Sequence, residues 1–148
     1  MPALPNLPPL ADWLAREGAR PVVWGVNDCC LFVADWVVAV TGRDPATPWR
    51  GAYRGERAAH RILTRGGGLL AVVAPAFDGV GLARTDDPLT GDIGVVVAPV
   101  AVRRGRIVER PVAALRVGRL WAVKSQSGIA AGEFVALAAW RVTPEVSP

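Results

Sequence analysis

Two adjacent thiols are the strongest nucleophiles this chain encodes. Cys29 and Cys30 are its only cysteines, and they stand between Asn27-Asp28 and an apolar run, Leu31-Phe32-Val33-Ala34-Asp35-Trp36-Val37-Val38-Ala39-Val40. A cysteine in the first turn of a helix meets free N–H groups and the positive end of the helix dipole. Both stabilise a thiolate and so produce a nucleophile near neutral pH. Cys29 takes that position when Asn27 or Asp28 caps the helix, and Asp28 is read as the cap. The competing role for an unpaired cysteine is that of a small buried hydrophobe, which is expected of Cys30. Neighbours on a helix point about 100° apart, so a disulfide between the two is geometrically poor.

A hydrolytic thiol also needs a base within hydrogen-bond reach. His60 is the only histidine, flanked by Ala59 and Arg61 in an arginine-striped segment, and it reads as a surface helix residue and a poor candidate base. Ser125, Gln126 and Ser127 are polar but do not titrate near pH 7. Asp28 and Asp35 share a helix face, and Asp86, Asp87 and Asp92 cluster, yet neither set has the spacing of a calcium loop or a carboxylate dyad. With no second cysteine pair, neither a metal site within the chain nor a cofactor is expected. A metal or iron–sulfur centre would have to be shared with a partner chain. Of the six tryptophans, Trp24 and Trp49 are placed at a cleft or an interface and the others in the core.

The elements that must position these groups follow from the periodicity. Leu10, Trp13 and Leu14 after Pro8-Pro9 predict a short amphipathic helix ending near Gly18. The run from Cys29 to Val40, stopped by Thr41-Gly42, is apolar all round apart from Asp35. It therefore predicts a central helix buried on several sides. Residues 43–54, with Pro45, Pro48, Trp49, Gly51 and Tyr53, read as an ordered loop. Glu56 to Arg65 predicts a surface helix ended by Gly66-Gly67-Gly68, and Leu69 to Ala74 a short apolar helix before Pro75. From residue 80 the period changes. Ile93–Val97, Arg106–Glu109, Ala114–Val117, Leu120–Val123 and Ala138–Val142 are valine-rich β runs separated by turns. Helices first and strands afterwards mean an α+β domain with a small, largely antiparallel sheet.

The chain has 148 residues, 51% apolar and 20% charged, a composition for one domain with its own core. We divide it into an N-terminal helical arm over 1–20, a helical half over 21–75 and a β half over 80–142. The mean hydropathy is +0.29, but no apolar run approaches the ~20 residues of a membrane span. The first nine residues hold four prolines and no basic patch, so they do not read as a secretory signal and synthesis in the cytoplasm is expected. Seventeen basic side chains face thirteen acidic ones, and all but Lys124 are arginine. Arg54, Arg57, Arg61 and Arg65 line one helix face, while Arg103, Arg104, Arg106 and Arg110 bracket a turn at Gly105. A net charge of +4 without an aromatic platform or groove-reading motif favours pairing with acidic proteins over nucleic acid.

Two segments resemble a known family. Trp24-Gly25-Val26-Asn27-Asp28-Cys29-Cys30-Leu31-Phe32-Val33-Ala34-Asp35 resembles the nucleophile helix of NlpC-type cell-wall peptidases, in which phenylalanine follows the cysteine by three residues; that offset selects Cys29. Thr90-Gly91-Asp92-Ile93-Gly94-Val95-Val96-Val97 resembles the Gly-Asp strand opening of the same papain-like domains. Adding Thr41-Gly42-Arg43-Asp44-Pro45, Trp49-Arg50-Gly51, Tyr53 and Ala139-Trp140-Arg141-Val142, the pattern is closer still to small NlpC-like proteins encoded beside tail-tip genes of phages, prophages and gene transfer agents. The resemblance implies a papain-like fold and a place in the virion tail, bound to other tail-tip or hub proteins through Trp24, Asp28, Trp49, Arg54, Arg57 and Arg61. It also implies a histidine on the strand after the Gly-Asp strand, where this chain has Ala113-Ala114-Leu115-Arg116-Val117; Ala114 takes the histidine position. The expectation is a structural tail-tip component with a degenerate peptidase cleft. The alternative is a cysteine hydrolase acting on peptidoglycan peptides, with Cys29 as nucleophile and a base from His60, from a neighbouring chain or from a strand in another register.

Overall fold

The computed structural model describes residues 9–142. Four helices precede a six-stranded antiparallel sheet: α1 (Leu10–Ala19), α2 (Cys29–Thr41), α3 (Glu56–Arg65), α4 (Leu69–Gly79), β1 (Ala83–Arg84), β2 (Ile93–Arg103), β3 (Arg106–Val117), β4 (Leu120–Ser125), β5 (Gly128–Gly132) and β6 (Val135–Arg141). The spatial order is β1-β6-β2-β3-β4-β5. The α+β class is therefore as expected.

α2 is the pillar of the domain. Phe32, Val33, Trp36 and Val37 are buried against Ile93 and Val95 of β2, Ala113 and Leu115 of β3, and Trp140 of β6. Trp13 of α1 packs against Phe32 with tilted rings and against Trp36 edge-on, with ring centroids 5.3 and 5.2 Å apart. The Trp36 indole N–H, buried with its ring, donates to the Gly91 carbonyl at 2.8 Å, which fixes the helix to the Gly-Asp turn ahead of β2. Gly42, at φ 74°, closes the helix with its N–H on the Val38 carbonyl.

The opposite sheet face carries a second apolar cluster of Val96, Ala98, Ala114, Trp121, Val123 and Ala139. Strand alternation divides β3 between the two clusters: Ala113 and Leu115 face α2, and Ala114 faces away from it. The alanine expected in the histidine position thus points to the wrong side of the sheet for a partner of Cys29. Its neighbour Ala113, which faces α2, is no base either.

Several boundaries differ from expectation for physical reasons. α4 does not stop before Pro75 but runs through it to Gly79. Pro75 and Ala71 are both exposed, so the carbonyl that loses its N–H partner can be solvated. The two runs Arg106–Glu109 and Ala114–Val117 are one strand across Pro111. β4 pairs only with Leu115–Val117, so Pro111 has no neighbour on that side that needs its missing N–H. At the β2–β3 turn, Arg104 and Gly105 take φ 52° and 74°, the primed hairpin geometry, which confirms the turn at Gly105. Sequence periodicity missed β5, Gly-Ile-Ala-Ala-Gly, which is too small and too uniform to show alternation, and the two-residue β1. Buried Lys124 was also missed. Its ammonium donates to the Glu17 and Arg20 carbonyls, capping the C-terminus of α1 from β4, and desolvation there pushes its pKa down.

Candidate functional site

The site begins at Asp28, whose carboxylate is buried and accepts four hydrogens. Oδ1 takes the N–H groups of Cys30 and Leu31 at 3.1 and 3.0 Å, as an N-cap does. Oδ2 takes the Gly25 N–H at 3.0 Å and the Tyr53 hydroxyl at 2.5 Å. One side chain so joins the turn before α2, the helix itself and the loop after it. Burial, followed by the bond to Asp28, drives the Tyr53 phenol well above its usual range, so it remains a donor. The Gly51 N–H reaches the Gly25 carbonyl at 2.8 Å and adds a second tie between turn and loop.

The loop is ordered by charge as well. Arg50 bridges Asp44 at 2.7 Å and Asp35 at 2.8 Å, and Asp44 Oδ1 also accepts the Ala46 N–H. The arginine bond holds the Asp44 carboxyl below its ordinary value, whereas burial lifts that of Asp35. Asp35 therefore serves the loop and does not share in the chemistry of Asp28. Trp49 is half-buried against Leu31, Ala34 and Ala46 and, like Trp24, lines the cleft.

Cys29 and Cys30 occupy the first turn of α2 and both line a cleft of about 650 Å³, mouth included. Trp24, Asp28, Trp49 and Tyr53 line it too, as do Ile62 and Leu63 of α3 and Val72, Ala76 and Phe77 of α4. The roles expected of the two thiols separate only in part. Cys30 packs against the main core, yet it also shares the cleft, because the cavity wraps the helix start and reaches both directions of the first turn. The Cys30 thiol donates to the Cys29 sulfur. That bond, with the N–H groups of the first turn, lowers the Cys29 pKa against burial and the nearby Asp28 charge, and the same bond raises that of Cys30. The thiolate, when it forms, sits on Cys29.

No imidazole reaches it. His60, the chain's only histidine, is exposed on α3, whose residues Ala59, Ile62 and Leu63 face the cleft instead. Arg54, Arg57 and Arg61 are likewise exposed and outside the cleft lining. Asp28, Cys29 and Cys30 place their ligand atoms within 4.8 Å of one another, but four donors already fill the Asp28 carboxylate, leaving two thiols for a metal. Asp92, the acid of the Gly-Asp turn, is structural. It accepts from Leu89, from Arg141 at 2.8 Å and from the Val142 N–H at 3.0 Å, so it clasps the end of β6 to the start of β2. Trp140 adds a bond to Asp78 at 2.8 Å. Tyr53 and Cys30 are the site residues that sequence reasoning did not assign, and no short-range signal marks a phenol 25 residues from its carboxylate.

The chain belongs to the DUF6950 family, a domain of unknown function, whose model matches residues 5–142. Neither the curated proteins nor the solved structures contain a match.

Proposed function

We propose that the protein is a papain-like, NlpC-type domain that serves as a structural component of a phage or gene-transfer-agent tail tip, its cleft derived from a cell-wall peptidase and no longer equipped for hydrolysis. The observation that carries the degenerate-cleft reading is the combination at the start of α2. A thiol stabilised as an anion opens on a cleft, while the facing strand offers Ala113 and the only histidine lies on an outer helix face. Loss of general-base assistance costs a hydrolase roughly 10²–10⁴-fold in rate. The tail-tip setting is supported by the resemblance of the motifs around Trp24–Asp35, Thr90–Val97 and Ala139–Val142, and the last of these forms the clasp between β6 and β2.

The lowered pKa of Cys29 favours one second reading, a hydrolase of peptidoglycan peptides completed by a base from a neighbouring chain. Purified protein incubated with peptidoglycan fragments separates the two. We expect no release of peptides, and we expect Cys29→Ser to leave assembly of tail particles intact. Cys29-dependent turnover by the isolated chain would overturn the structural reading.

A further inference from the structure

We propose that the cleft beside Cys29 receives a long acyl chain and that Cys29 accepts this chain as a thioester. The proposal rests on the reading of Cys29 as a nucleophile left without a base, and it deepens that reading by naming the class of compound the cleft holds.

The walls carry the first argument. Trp49, Ile62, Leu63, Val72, Ala76 and Phe77 line a cleft whose walls are almost wholly apolar, as is typical of ligand pockets. Apart from the thiols and the indole N–H groups of Trp24 and Trp49, the polar side chains on the lining are Asp28 and Tyr53. Asp28 accepts four hydrogens and Tyr53 donates to it, so neither is left to serve a ligand. A peptide would bring several amides and charges to a lining whose uncommitted polar side-chain groups, apart from the thiols, are two indole donors, whereas a hydrocarbon chain brings none.

α3 supplies the second argument. It has no buried residue, and its apolar positions Ala59, Ile62 and Leu63 border the void, so a ligand there would cover a stripe that the chain itself leaves half covered. The helix lies between Gly55 and Gly66-Gly67-Gly68, the last two at φ 91° and 104°. Glycines at both ends let it shift outward to admit a chain.

The chemistry gives the third. The Cys29 thiolate, its proton released to solvent, attacks the carbonyl carbon of an acyl thioester. A carbon–sulfur bond forms as the donor's carbon–sulfur bond breaks, and the donor departs as a thiolate that takes up a proton from solvent. Nothing is oxidised or reduced. A thiolate leaves without acid assistance, unlike the amine of a peptide bond, so this step needs no histidine. Hydrolysis of the new thioester does need an activated water. With no imidazole at the cleft the adduct persists.

The test treats the purified chain with palmitoyl-coenzyme A, below its micelle concentration, or with acetyl-coenzyme A, and follows intact mass and peptide maps. We expect a hydroxylamine-labile palmitoyl adduct on Cys29, formed at least about tenfold faster than the acetyl adduct because only the long chain gains from apolar burial. Cys29→Ala should abolish it. Ala76→Phe, which fills the cleft, should bring the palmitoyl rate towards the acetyl rate, and Ala59→Leu on surface helix α3 does the same should the first variant fail to fold. Equal palmitoyl and acetyl rates overturn the proposal. So does a Cys29 that iodoacetamide alkylates but palmitoyl-coenzyme A does not modify, with the nucleophile reading left standing. A Cys29 inert to both reagents overturns both, and steady Cys29-dependent release of palmitate overturns the persistent adduct together with the absence of a base.

Discussion

Cys29 and Cys30 differ in chemistry although one peptide bond separates them. The Cys30 thiol donates to the Cys29 sulfur, and the effect on the two pKa values is opposite, downward at Cys29 and upward at Cys30. The reactive anion on Cys29 is then present at lower pH than on a free thiol, whose pKa lies near about 8.5. We predict that alkylation of Cys29 by iodoacetamide, assigned by peptide mapping across a pH series, reaches half its limiting rate at a lower pH in the folded chain than in the urea-unfolded chain. In Cys30→Ala the donor is gone while burial and the Asp28 charge remain, so the midpoint should move up. An unmoved midpoint would assign the activation to the helix N–H groups alone. At this scale the sequence was informative where interactions are local. The Asp28 cap reaches two and three residues ahead, and the Phe32 offset singles out Cys29. The Tyr53 bond and the placement of Cys30 in the cleft depend on how a loop folds over the helix, and no spacing encodes that.

Gly25 decides how the turn before α2 meets the loop that ends at Tyr53. It sits at φ 82°, where L side chains are strained, and a Cβ there would lie 2.2 Å from the Tyr53 carbonyl oxygen. Its N–H and carbonyl are both engaged, to Asp28 and from Gly51. The left-handed conformation alone costs a non-glycine residue about 1–2 kcal/mol, and the collision with backbone adds to it. We predict that Gly25→Ala lowers unfolding free energy by about 2–4 kcal/mol in urea titration, within the range of severe point mutants. A loss under about 0.5 kcal/mol, the range of an ordinary surface change, would mean that the turn is free to open. Among the elements, those with punctuation were legible. Glycines bound α3, and Asp28 and Gly42 bound α2. Misread boundaries occur where punctuation misleads: Pro75 within α4 is tolerated because the carbonyl it deprives of a partner is exposed to solvent, and Pro111 within β3 because β4 does not pair there. β5 has a glycine at each end but no alternation between them, and it forms because β4 offers it an edge.

Across the whole molecule two groups of arginines stand out. Arg20, Arg50, Arg84, Arg119 and Arg141 pair with carboxylates, and Arg116 stacks on Trp121. Arg54, Arg57, Arg61 and Arg65 have no carboxylate partner among the described residues, are exposed, and follow one another at helical spacing on or beside α3. Like charges at such spacing repel on an isolated surface, and arginine is well suited to bidentate pairing with carboxylates at an interface. On the proposed tail-tip role, we predict that changing Arg57 and Arg61 to glutamate, which takes the formal net charge from +4 to 0, lowers incorporation of the chain into tail particles about tenfold or more. Fold should be unaffected, since neither residue is buried. Wild-type incorporation should weaken moderately with salt, and the purified chain should not bind DNA. Incorporation unchanged by the double reversal would reject this face as the docking surface. DNA binding by the unaltered chain that falls steeply with salt and disappears in the double variant would instead assign the arginine stripe to phosphate contacts, since counterion release from the phosphate backbone makes such binding strongly salt-dependent.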